Sequence, residues 1–237
     1  MGSGDVYKRQ VGGGDHPPSG RALLHGSEPI NEHWHHIPDG PDNPHYGDPL
    51  ENPAASPAPG PVTEFNRRTW ELVKNPDELY GHDAQGHPLS KEQYDQRYRV
   101  FSPDGRGVWD VYPPNDGAVA GTRWSTNSVD EYLEHFGPDV DRIGESSGKY
   151  LGVMEGGAPA FFEERGLPMG SLEQGYYRFR FTGQLPAGWT IEVSEVVPAF
   201  GRDGGALQLL IRDGTVIQTI DDLVDSQVLE VFDGAIR

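Results

Sequence analysis

Four polar side chains in the C-terminal half could act on a phosphorylated, planar ligand: Arg142, Tyr150, Arg165 and Gln208. Each stands singly beside a turn residue. Arg142 lies in Asp141-Arg-Ile-Gly144, Tyr150 in Lys149-Tyr-Leu151, and Arg165 in Arg165-Gly-Leu-Pro168. Gln208 ends the run Phe200-Gly-Arg-Asp-Gly-Gly-Ala-Leu-Gln208. That spacing suits a site built from loops. An arginine fork grips pyrophosphate oxygens bidentately. A tyrosine ring can stack on a ribose or a base. The turn from Gly201 to Gly205, with Gly204 and Gly205 adjacent, could let backbone N–H groups approach an anion. Arg202 in the same turn could reach the ligand too.

Each residue also has a plainer reading. Arg142 could pair on the surface with Asp141 or Glu145. Tyr150 could be a half-buried strand tyrosine, the commoner fate of a lone tyrosine. Arg165 could be a solvated loop arginine beside Glu163 and Glu164. Gln208 could be an exposed polar strand residue, and Gly-Arg-Asp-Gly-Gly could be simply a turn.

Taken in order, these pieces resemble the TNT domain, the catalytic domain of tuberculosis necrotizing toxin and of related fungal surface NAD glycohydrolases. The resemblance begins at Tyr112-Pro-Pro-Asn-Asp-Gly117 and Gly121-Thr-Arg123 and ends near Ile236, the C-terminal half of the chain. It implies hydrolysis of the nicotinamide–ribose bond of NAD⁺, with NADP⁺ as a second substrate, giving nicotinamide and ADP-ribose. The transition state would be oxocarbenium-like, as in glycoside hydrolysis. NAD⁺ is then the substrate, and no cofactor, metal or prosthetic group is implied. The resemblance assigns Arg142 to phosphate or ribose contact, Arg165 to a second clamp on the pyrophosphate, Tyr150 to stacking, and Gln208 to a ribose hydroxyl or the carboxamide. Gly204 and Gly205 join these as binding residues. Tyr177 falls where the toxin's pattern has a histidine. A tyrosine can bond or stack but does not titrate near neutral pH, so a core position stacked with Phe179 and Phe181 is an equal reading. Asn115 and Asp116 read as structural residues of the pocket rim. The family implies a secreted toxin module delivered into a target cell, acting in its cytoplasm and held in check by an immunity protein. The rivals are an ADP-ribosyltransferase or cyclase, and a catalytically weak NAD-binding module. Glu192 and Glu195 lack the Glu-x-Glu spacing of the familiar toxin ADP-ribosyltransferases.

The chain's net charge of −18 argues against a nucleic-acid or anionic-membrane binder, since both need a basic face. There are no cysteines, which excludes disulfides and thiolate chemistry. The fungal relatives use disulfides, so this chain is closer in character to the bacterial members. No run of 18 apolar residues exists to span a membrane, and no apolar signal-peptide core is present. Residues 1–10 resemble an assembly scar. Residues 11–61, dense in Gly, Pro, His, Asn and Asp, read as a disordered linker. His33, His35, His36 and His45 fall there, and adventitious metal binding is the expected reading of them.

Residues 62–237 are expected to form the domain, with a helical lead-in over 62–99 and the core over 100–237. Phe65, Trp70, Leu72 and Val73 suggest a helix that stops before Pro76. Ser90 with Gln93, and Ser128 with Glu131, have capping-box spacing. The second box opens a helix through Phe136 that Gly137-Pro138 ends. Alternation in 176–181, 190–193 and 207–212 predicts strands, and Asp213-Gly214 predicts a hairpin turn. The fold class is therefore α+β, mainly antiparallel β with a few short helices.

Overall fold

The alternating runs pair into one antiparallel sheet. The computed structural model describes residues 20–26, 29, 31–40, 60–104 and 108–233. Within them lie helices α1 (Gly20–Leu24), α2 (Arg67–Trp70), α3 (Lys91–Tyr98), α4 (Val129–Phe136) and α5 (Ile220–Asp225). The strands are β1 (His35–His36), β2 (Arg99–Phe101), β3 (Val108–Asp110), β4 (Trp124–Thr126), β5 (Asp139–Ile143), β6 (Leu151–Val153), β7 (Tyr176–Phe181), β8 (Trp189–Glu195), β9 (Leu207–Asp213), β10 (Val216–Ile217) and β11 (Leu229–Asp233). The main sheet runs β1-β4-β8-β9-β6-β5-β7-β11, with β10 turned back on β9. Strands β2 and β3 form a separate hairpin. Every pairing is antiparallel, as the fold-class expectation requires. None of the described helices is long and apolar enough to cross a membrane.

Local signals set the element ends. Ser90 caps α3 with a complete box: its hydroxyl accepts from Gln93 N, and Gln93 Oε1 accepts from Ser90 N. Ser128 caps α4, but the box there is half-made. Glu131 turns away and accepts from Asn31 Nδ2 at 2.8 Å instead. Gly137 ends α4 at φ 77°, and Gly214 closes the β9–β10 hairpin at φ 58°. The helix expected near 63–75 shrinks to the four residues of α2.

Two apolar clusters sit beside the sheet. One joins Trp124, Tyr132, Val140, Phe179, Ile191 and Leu209. The other joins Tyr94, Phe162, Met169, Leu172, Tyr176 and Phe200.

The first cluster also takes in Leu23, Leu24 and Trp34, the last only 1% exposed. This corrects the linker reading of 11–61 over residues 20–26 and 31–40. Three apolar side chains in a polar segment are enough to seat it, because all three join the apolar cluster between the sheet and α4. Trp34 meets Phe136 edge to face at 5.9 Å, and Trp124 Nε1 donates to Leu24 O. β1 pairs with β4, and His36 packs its ring on Trp124 at 5.2 Å. Among the described residues no group of three or more His, Asp or Glu side chains is placed to hold a metal ion. His45, residues 1–10 and residues 41–59 lie outside the described residues.

Candidate active site

Where β5, β6 and β9 meet, the strands and their connecting loops enclose a cleft of about 1020 Å³. Arg142 comes from the end of β5, Tyr150 from the loop into β6, and Gln208 from the start of β9. Arg165 and the rim turn Asn115–Gly117 also line it. The sequence thus placed four of its six proposed binding residues around one space.

Arg142 has no carboxylate within ion-pair distance among the described residues. Its Nε donates to Glu145 O at 2.7 Å and its Nη1 to Tyr150 O at 2.6 Å. Burial pushes its pKa down, which marks a positive charge poorly served by its surroundings. Gly148 packs so closely on this guanidinium that a Cβ there would collide with Nη2. The carbonyls aim the fork and leave the charge unneutralised.

Arg165 is arranged differently. Its Nη1 and Nη2 each donate to Asp141 at 2.6 Å, and Nε and Nη2 reach Ala160 O. Asp141 is 1% exposed and also accepts from Tyr176 OH. Burial opposes the charge on Arg165, yet Asp141 holds its pKa above the ordinary value. Gly152 opposes Asp141 on β6, and a Cβ there would run into this pair. The fork of Arg165 is therefore closed on Asp141. It shapes the wall and is not free to clamp a pyrophosphate, because doing so would strand a buried carboxylate.

Gln208 donates through Nε2 to Asp116 O at 2.9 Å and to Ser194 Oγ at 3.1 Å. Both amide hydrogens are thus engaged by the protein, and Oε1 is left without a donor among the described residues. Tyr150 is 38% exposed and its hydroxyl lies 3.4 Å from Asp116 Oδ1. Burial, reinforced by the Asp116 carboxylate, pushes its pKa up to about 12. Tyr112 lines the same cleft with a pKa raised to about 12 by burial, then by Asp110. Asp116 also faces Arg123 and Arg212, which grip the buried Glu192 between them.

Three assignments do not hold their place. Gly204 and Gly205 do not line the cleft. Their N–H groups donate to Glu163 O and Val196 O, and Ala206 N donates to Glu164 O, so the turn has no free nest for phosphate. Arg202, expected to reach the ligand, is buried against Phe162 and donates to the carbonyls of Leu167 and Leu79. Tyr177 packs against the first cluster, outside the cleft lining, in line with its core reading. Two contributors were missed. Ser194 sits opposite Gln208 on β8, which strand register could have revealed. The Asp116 carbonyl was hidden behind a structural reading of its turn.

A family profile described as tuberculosis necrotizing toxin matches residues 135–231. The outer membrane channel protein CpnT of Mycobacterium tuberculosis (strain H37Rv) is 36% identical over 233 residues, and so is that of Mycobacterium bovis (strain BCG). Those matches take in 92% of this chain and 27% of the relatives, so the chain spans about a quarter of their length. The solved structure of tuberculosis necrotizing toxin complexed with its immunity factor IFT superposes with a TM-score of 0.66 at 36% identity. It covers 82% of this chain and 98% of the toxin chain. By sequence and by fold, the chain belongs to the tuberculosis necrotizing toxin family.

Proposed function

We propose that the cleft binds NAD⁺, with NADP⁺ as a second substrate, and hydrolyses the nicotinamide–ribose bond. One observation carries the reading: Arg142 presents an unneutralised charge inside a cleft whose other wall offers the Gln208 carbonyl oxygen. In a chain of net charge −18, such a cation is unusual and suits a pyrophosphate. The cleft volume reaches the upper end of small-ligand sites, as a dinucleotide requires.

Nicotinamide departs as a neutral molecule from a cationic precursor, so the leaving group needs little acid assistance and no metal. The glycosidic electron pair goes to the pyridine nitrogen. Positive charge develops on the ribose, where the fixed negative end of the Gln208 dipole stabilises it without reorganising. Water adds at the anomeric carbon and releases one proton, giving ADP-ribose. Tyr150 stacks on the bound nucleoside from its half-exposed position. Glu192 is held between Arg123 and Arg212, which leaves it unsuited to activating a protein acceptor.

In the cell the chain acts as a toxin module that is delivered to a target and depletes its NAD⁺. A cognate immunity protein restrains it, by analogy with the toxin solved with its immunity factor. The test is product analysis after incubation with NAD⁺. Nicotinamide and free ADP-ribose in equal amounts support hydrolysis. Cyclic ADP-ribose or ADP-ribosylated protein in their place would replace the hydrolase with a cyclase or a transferase.

A further inference from the structure

We propose that Asp39 is a positioning residue for Gln208, acting through the Asn115–Asp116 turn. The segment around β1 then belongs to the reactive unit and is more than a tether. The inference rests on the glycohydrolase reading of the cleft.

Among the described residues Gln208 is oriented from its Nε2 alone, so its Oε1 points where the Asp116 carbonyl and Ser194 hydroxyl dictate. The Asp116 carbonyl is set by an unusual turn. Asn115 (φ 60°) and Asp116 (φ 54°) are consecutive non-glycine residues in the left-handed region. That conformation persists only where the surroundings over-determine it. Here the determinant is the Asn115 side chain, 7% exposed. Its Oδ1 accepts from Gly40 N at 2.7 Å and from Arg123 Nη1 at 2.9 Å. Its Nδ2 donates to Asp39 Oδ1 at 2.9 Å and to Ala118 O at 3.2 Å. All four hydrogen-bonding positions of the amide are filled.

Two of those four partners come from residues 39 and 40. Asp39 Oδ1 accepts a second hydrogen bond from Gly121 N at 3.0 Å, so one oxygen ties both ends of the 115–121 loop. The segment is seated by the β1–β4 pairing and by Ile37 N donating to Arg123 O. Asp39 itself is exposed and does not line the cleft, so it touches no substrate there. Its influence runs through Asn115, then one peptide, then the Asp116 carbonyl to the Gln208 amide. Removing the carboxylate frees Asn115 Nδ2 and Gly121 N, loosens the turn, and lets Gln208 swing. Arg142 is untouched by that change, so binding should survive while turnover falls.

The test compares Asp39→Ala, Asp39→Asn, Gln208→Ala and the Asp39→Ala/Gln208→Ala double variant. Steady-state kinetics on NAD⁺ give kcat and KM. Hydrogen exchange of the Gln208 side-chain amide, followed by ¹⁵N–¹H spectra of the substrate-free protein, reports the positioning directly. Asp39→Ala should lower kcat roughly tenfold to a hundredfold. Its KM should stay within about twofold, and its Gln208 amide should exchange faster. Asp39→Asn keeps an acceptor oxygen and should restore both readouts. The double variant should be no slower than Gln208→Ala, as expected of residues acting in one chain. Unchanged amide exchange or wild-type kcat in Asp39→Ala overturns the proposal, as do independent losses that multiply in the double variant. If wild type releases no nicotinamide, the glycohydrolase reading falls, and the amide exchange still decides whether Asp39 positions Gln208.

Discussion

Arg142 and Arg165 look alike in sequence and differ in what their forks face. Arg142 is steered by two carbonyls and keeps its charge for a ligand. Arg142→Ala should therefore cost roughly 2–5 kcal/mol in use of NAD⁺ while the fold melts normally. Lysine should rescue poorly, since it lacks the fork. Activity on nicotinamide mononucleotide, which has no pyrophosphate, should fall much less, and equal proportional losses on both substrates would remove the clamp role. Arg165→Ala should do the opposite. It strands the buried Asp141 carboxylate and should lower stability by about 3–5 kcal/mol in a denaturant titration. A midpoint equal to wild type would show the pair to be dispensable. The residue types were legible because turn-flanked arginines stand out in an acidic chain. Their roles were not. Strand alternation puts Asp141 and its neighbour Arg142 on opposite faces of β5, so Asp141 pairs with an arginine 24 positions away and not with the one beside it.

At the scale of elements, what the sequence revealed was local. The Ser90 box, the Gly137 stop and the Asp213-Gly214 turn each depend on residues within four positions, and each forms. What it hid was long-range. Average composition marks residues 11–61 as coreless, yet Leu24 and Trp34 join an apolar cluster built from residues about a hundred positions later in the chain. The Gly204 and Gly205 amides failed as a phosphate nest because both are already engaged, Gly204 N by the distant Glu163 O and Gly205 N by Val196 O in the same β8–β9 connection. Trp34→Ala should destabilise the protein by about 3–5 kcal/mol. A chain beginning at residue 62 should melt at a clearly lower temperature than the full chain. Identical melting curves would mean that the docked segment contributes nothing to the fold.

For the whole molecule, the contrast between an acidic body and the buried, unneutralised Arg142 in the cleft defines what it can bind. Among the described residues no histidine lines that space, and burial keeps Tyr112 and Tyr150 protonated well into the alkaline range. The rate of NAD⁺ cleavage should consequently be flat between about pH 6 and about pH 9. A bell centred near neutrality would reveal a titrating group that the cleft does not contain. The most direct measurement is nicotinamide release from NAD⁺ by wild type and by Gln208→Ala, with thermal unfolding of both recorded in the same buffer. Wild type should release nicotinamide steadily and the variant at a rate ~10²–10³ lower, with nearly coincident melting curves. Equal rates for the two well-folded proteins would contradict this, because the reaction would then owe nothing to the side chain around which the cleft is built.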